Sequence, residues 1–80
     1  MLYLTPEHEA IFKRTEAWLA AAGAVGQLEE ALSAAANEQN IDVRVIARDG
    51  ERFLLRTSFS PCRINVEVAD GRVTRVDGVY

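Results

Sequence analysis

A single cysteine, Cys62, and a single histidine, His8, stand in a chain of 80 residues. One thiol cannot close an intrachain disulfide, so the staple of small secreted domains is missing and a reducing compartment is expected. One imidazole and one thiol far apart in sequence do not make a metal site, which needs several His, Cys or carboxylate groups converging. Nothing beside Cys62 in the sequence supplies the base and oxyanion donors that a thiol nucleophile requires. Neither Cys62 nor a Cys62/His8 pair is therefore read as catalytic, and no cofactor is expected. Gly23 and Gly26 lack the preceding strand, the following lysine and the spacing of a phosphate loop. Long apolar runs are missing too: nothing could span a bilayer, and Met1-Leu2-Tyr3-Leu4-Thr5-Pro6-Glu7 has neither a basic region nor an apolar stretch of signal-peptide length. The chain is read as complete, cytoplasmic and not an enzyme.

Lysine is as scarce as cysteine, and its scarcity is uneven. The net charge is −3, but residues 1–40 carry acids against only Lys13 and Arg14, whereas the second half sets six acids (Asp42, Asp49, Glu51, Glu67, Asp70, Asp77) against seven arginines and no lysine. Planar guanidinium groups suit bidentate pairing with carboxylates or phosphates. A hydrophobic content of 49% with 26% charged residues belongs to one globular domain. So small a core often needs help from a partner subunit, which leaves a homodimer open.

The apolar spacing sets the expected elements. Thr5 as N-cap, Pro6 at the first helical position and Glu7 and Glu9 at the positive end of the dipole start a helix. Ile11, Phe12, Thr15, Trp18, Leu19 and Ala22 recur at helical spacing, and Gly23 ends the run. Leu28, Ala31, Leu32, Ala35 and Ala36 keep the same period until Asn37 to Asn40. The period then changes to two, with Ile41, Val43, Val45 and Ala47 on one side and Asp42, Arg44, Ile46 and Arg48 on the other. Asp49-Gly50 predicts a hairpin, after which Phe53, Leu55, Thr57 and Phe59 alternate with Arg52, Leu54, Arg56 and Ser58. A three-residue loop with Gly50 left-handed would set Val45 against Phe53, Val43 against Leu55 and Asp42 against Arg56. Ser60-Pro61 breaks the sheet. Ile64, Val66 and Val68 form a third inward row, Asp70-Gly71 turns again, and Val73 and Val76 fall on opposite faces of the last strand. The expectation is an α+β fold, with two N-terminal helices packed on one face of a four-stranded antiparallel sheet, a meander of two hairpins. Helices are expected at about 6–22 and 26–37, strands at about 41–48, 52–59, 63–69 and 72–77.

On that pattern the outer face of the sheet collects Arg44, Arg48, Arg52 and Arg56, with Arg63 and Arg75 nearby, around two hydrophobes, Ile46 and Leu54. Arginine around an apolar centre suits a protein interface, and the Ser60 to Cys62 loop, with Arg63, borders it. A solvated face whose arginines pair with Asp42, Glu51 and Glu67 is the plainer reading of the same residues. Direct nucleic-acid binding fits less well, because six acids share that half of the chain.

Arg63-Ile64-Asn65-Val66-Glu67-Val68 and Asp70-Gly71-Arg72-Val73-Thr74-Arg75-Val76 resemble the C-terminal end of bacterial serine-peptidase inhibitors related to the potato inhibitor I fold. In that family a helix precedes a valine-rich strand similar to Val43-Arg44-Val45-Ile46. The resemblance implies that the segment between Gly50 and Arg63 is an exposed peptidase-binding loop with Arg63 bracing it from below. The chain departs from the family in having Asp49-Gly50 where a Pro-Gly starts the loop, Cys62 where an aspartate precedes the bracing arginine, and Gly78-Val79-Tyr80 where the family ends in Cys-Gly. The alternation of Glu51 to Phe59 also predicts a strand there. In size, acidity and lack of catalytic residues the chain resembles the inhibitor proteins of phages and mobile elements, the anti-CRISPR type among them. That likeness implies a non-catalytic protein, acting in the host cytoplasm if phage-encoded, that binds a CRISPR-Cas effector and blocks its target DNA. The first expectation is such a blocker of a nucleoprotein effector; the alternatives are the serine-peptidase inhibitor and a small nucleic-acid-associated or structural adaptor.

Overall fold

The computed structural model describes residues 5–55 and 58–80. Helix α1 (Pro6–Ala22) begins as the sequence predicts. The amide of His8 donates to Thr5 Oγ1 at 3.2 Å, Glu9 pairs with Lys13 one turn on at 3.1 Å, and Gly23 closes the helix with φ +60°. Helix α2 (Glu29–Glu38) starts three residues later than expected. The cause is that residues 26–28 hydrogen-bond to a strand: Gly26 N–H donates to Val73 O at 2.7 Å, and Val73 N–H donates to Gln27 O at 2.9 Å. Backbone groups committed to a sheet edge cannot also enter a helical ladder.

Four strands follow: β1 (Asp42–Arg48), β2 (Glu51–Arg52), β3 (Arg63–Ala69) and β4 (Arg72–Val79), in the order β2-β1-β3-β4. The sheet is mixed, which corrects the antiparallel meander: β1 runs parallel to β3, while β1–β2 and β3–β4 are antiparallel. Of the expected strand over 52–59, Arg52 lies in β2, residues 53–55 and 58–59 lie in no strand, and β3 pairs on the other side of β1. Asp49 and Gly50 have φ +51° and +85°, and Arg48 sits opposite Glu51. This is a two-residue turn with both central residues left-handed, not the three-residue loop, so the pairs Val45–Phe53 and Val43–Leu55 do not form. Asp42 instead lies opposite Arg63; its expected partner Arg56 is outside the described residues.

Bulges explain the remaining differences. Val45 lies opposite Val66 and Ala47 opposite Glu67, so Ile46 is an extra residue in β1. In β4, Thr74 and Asp77 are likewise skipped by the register with β3. Each inserted residue resets the alternation of faces. Val73, Val76 and Val79, three apart, therefore all join the same apolar cluster, which corrects the expectation that Val73 and Val76 face apart. Ala24, Leu32, Ala36, Ile41, Ile64, Val66 and Val68 complete its buried part, with Trp18, Leu19, Val43 and Val45 packed around it. Helix α2 lies against β1 and supplies Leu32 and Ala36. Helix α1 touches β3 and β4 more lightly and buries only Thr15 fully, so the expected packing of both helices on one sheet face is not clear for α1.

Candidate functional site

The parallel arrangement of β1 and β3 makes the segment between β2 and β3 a crossover connection, and among the described residues its start holds the most exposed large hydrophobe. Leu54 is fully solvent-exposed (104%), with Phe53 at 41% and Leu55 at 39% on either side. At its near end the amide of Phe53 donates to Ile46 O at 3.0 Å. The far end is tied more firmly. Arg63 Nη2 donates to Ser58 O at 2.7 Å and to Tyr80 O at 2.8 Å. Ser60 N–H donates to the same Tyr80 oxygen at 3.1 Å, and Asp42 N–H to Cys62 O at 2.8 Å. The ring of Phe59 meets that of Phe12 on α1 with centroids 6.2 Å apart. Charge-assisted bonds from a guanidinium are about twice as strong as neutral ones, so Arg63 is the principal brace.

A second arginine lies beside this brace. Arg44 Nε donates to Asn65 Oδ1 at 2.6 Å, and its guanidinium carbon sits 5.3 Å from the centroid of the Tyr80 ring. Asn65, wholly buried at 0% exposure, passes the connection on through Nδ2 to Gly78 O at 3.1 Å. Arg44 Nη2 and Arg63 Nε are buried without a hydrogen-bond partner among the described residues. On the same sheet face Glu67 receives Arg75 at 3.1 Å and faces Arg52 at 3.6 Å. Asp77 pairs with Arg75 at 3.4 Å and accepts the Tyr80 hydroxyl. Burial first, and the Asp77 carboxylate next, push the Tyr80 phenol above its ordinary range.

The expected group of interface residues is thus divided. Ile46 is buried at 2% exposure without joining the inner apolar cluster, so it offers no surface to a partner and is not the exposed hydrophobe expected. The bulge at Ile46 turns Arg48 to the helix side, where Nη1 and Nη2 donate to Glu29 Oε1 and Oε2 at 2.7 and 2.8 Å. Arg44 and Arg52 belong to the polar network, Ser60, Cys62 and Arg63 to the base of the loop, and Leu54 to its exposed part. Arg56 is outside the described residues. Asn65 and Tyr80 escaped the sequence reading. Asn65 interrupts the row Ile64, Val66 and Val68 on a central strand, where an amide needs partners, and that was its one signal.

Cys62 Sγ lies 3.6 Å from Ser60 Oγ, and the His8 amide is engaged in capping α1. Among the described residues no cluster of His, Cys, Asp or Glu has the makings of a metal site, and no helix is long and apolar enough to cross a membrane. What the arrangement does is leave Phe53, Leu54 and Leu55 exposed between the backbone bond to Ile46 on one side and the Arg63 brace at Ser58 and Tyr80 on the other. No family model matches this chain, and neither a curated protein nor a solved structure matches it.

Proposed function

We propose that this protein is an inhibitor of a serine peptidase, binding through the loop between β2 and β3. The observation that carries the reading is the brace: one guanidinium, Arg63, holds the Ser58 carbonyl of the loop and the Tyr80 carbonyl that follows β4. Peptidases bind substrates as extended chains. A flexible segment loses roughly 1–2 kcal/mol per residue when its backbone is ordered. A loop already held loses less and binds more tightly. Should a bond in the loop be cut, the downstream piece stays tied to Arg63 and Tyr80 and the upstream piece to β1, so both ends remain in the cleft. Residues 53–55 and 58–60 lie in no strand, which answers the departure raised by the alternating sequence of Glu51 to Phe59, and the bracing role that the family likeness implies for Arg63 has bonds to support it.

The test is a panel of subtilisin-like, chymotrypsin-like and trypsin-like serine peptidases. Slow, tight inhibition of at least one is expected, and Arg63→Ala should turn the inhibitor into a substrate cleaved within residues 53–60. If the intact protein inhibits none, the reading fails. The anti-CRISPR-type blocker draws its contacts from Arg44, Ile46, Leu54 and Arg56; with Ile46 buried its sheet face has no apolar centre, and no observation favours it over the loop. The acids paired with Arg52 and Arg75 likewise leave little free positive charge for nucleic acid.

A further inference from the structure

We infer that the cavity between the two helices is a binding site for a small planar aromatic molecule carrying one N–H or O–H group. Trp18, Ala21 and Ala22 of α1, Gln27 of the link and Leu32 and Ala35 of α2 enclose a cavity of about 190 Å³. Leu32 has no exposed surface, whereas Ala21 and Ala35 are exposed, so the cavity runs from the core to solvent and a ligand can enter it. Protein interiors hold few voids larger than a water molecule. This one exists because half of its lining is alanine, whose methyl groups leave open what larger side chains would fill. An apolar cavity of about 150 Å³ is enough to hold benzene. The space here admits a ring system slightly larger than that, and is too small for the drug-sized ligands that occupy pockets of roughly 300 Å³ or more.

Two side chains give the cavity its chemistry. The indole of Trp18 is its one aromatic wall, and such a ring favours another ring, stacked offset or met edge to face. Gln27 brings an amide that is already tied down: Nε2 donates to Ala22 O at 2.6 Å and to Gly23 O at 3.0 Å. Its backbone is held as well, the N–H donating to Ala24 O at 3.1 Å and the carbonyl accepting Val73 N–H at 2.9 Å. Oε1 is left with no hydrogen-bond partner among the described residues. An amide oxygen is an acceptor with two lone pairs, so the group it calls for is a donor. Because the amide is fixed before the ligand arrives, little ordering entropy is lost on binding.

The experiment follows the NMR resonances of the full chain during titration with indole, and with indene, which has nearly the same shape but no N–H. Both titrations are repeated on Ala35→Leu and on Ala21→Leu, which fill the cavity from its exposed rim with a residue that helices accept well; thermal melting confirms that each variant is folded. Indole is expected to shift the signals of Trp18, Ala22, Gln27 and Leu32 saturably, with a dissociation constant of about 1 mM or tighter. Indene should bind about three- to tenfold more weakly, the worth of one hydrogen bond, and either leucine variant should abolish binding of both. No saturable shift at these residues with either probe overturns the inference. Equal affinity for the two probes overturns it too, since Gln27 would then play no part, as does undiminished binding to the leucine variants, which would place the site elsewhere. Shifts at the same residues on raising the protein concentration alone would give the cavity to a second copy of the chain and overturn it likewise. The β2–β3 loop takes no part in these measurements, so the inhibitor reading stands or falls separately.

Discussion

Asn65 shows how one residue can hold a surface together. Its amide oxygen takes the Arg44 Nε–H and its amide nitrogen donates to Gly78 O, and it does so with no exposed surface. Asn65→Leu would keep the branched shape and remove both bonds, leaving a buried guanidinium N–H and a carbonyl unpaired. The cost of such orphaned groups is about 1–3 kcal/mol each when neutral and more when charged. A loss of about 3 kcal/mol in unfolding free energy, read from urea denaturation, is the expected outcome; a loss under about 0.5 kcal/mol would show that the network contributes nothing. Several residue-scale features were legible beforehand, because a cap, a proline or an Asp-Gly turn acts through its nearest neighbours. Thr5, Pro6, Gly23 and both Asp-Gly turns are of this kind. The partners of Asn65, Arg44 and Arg63 were not legible, since each lies on a different strand or beyond the end of one.

The elements differ in how far local pattern governs them. Helix α1 ran true because its start and stop signals are all within one turn of its ends. The start of α2 moved because β4 captured residues 26–28, and β2 shortened because the chain had to cross to reach the far side of β1. In β4 the spacing of Val73, Val76 and Val79 defies simple alternation, and the two bulges at Thr74 and Asp77 resolve it. Deleting Thr74 alone would leave Val73, Arg75 and Val76 alternating opposite Val68, Glu67 and Val66, with both valines still inward, and is expected to cost less than about 1 kcal/mol, well under the burial of one valine. Deleting Thr74 and Arg75 together would make Val73 and Val76 neighbours on opposite faces and carry one of them out of the core. Burying one valine is worth about 1.5–3 kcal/mol, so the double deletion is expected to lower stability by at least about 2 kcal/mol in a denaturant titration. Equal effects from the two changes would mean that the bulge does not set the register.

At the scale of the whole molecule, the one ion pair between a helix and the sheet among the described residues is the bidentate pair of Glu29 on α2 with Arg48 on β1. The hydrogen bonds from Arg48 hold the Glu29 carboxyl below its ordinary value of 4.5; burial opposes them, and the charge of Arg48 adds a lesser pull in the same direction. A carboxyl depressed in the folded state stabilises the fold above its unfolded pKa, and that contribution is lost as the pH falls through the depressed value. Stability should therefore decline as the pH drops below 4.5, and Glu29→Gln should flatten that part of the acid limb while leaving the neutral-pH melt nearly unchanged. Both partners are partly exposed, so the effect is small. An acid limb identical in the two proteins would assign the decline to other carboxylates.

The sequence by itself determined the class of the protein, the two helices, the turns at Asp49-Gly50 and Asp70-Gly71, and the inward row of β3, because these follow from local capping, turn chemistry and the period of apolar residues. Only the tertiary structure decided that β3 lies parallel to β1, that Ile46 is buried, that Arg48 faces α2, and that residues 53–55 are exposed and in no strand. Strand order depends on which edges meet after collapse, and a single inserted residue reverses every face beyond it. Neither the crossing nor the bulges leave a mark in a pattern read along one chain, and together they turn an outer sheet face into a loop held by Arg63.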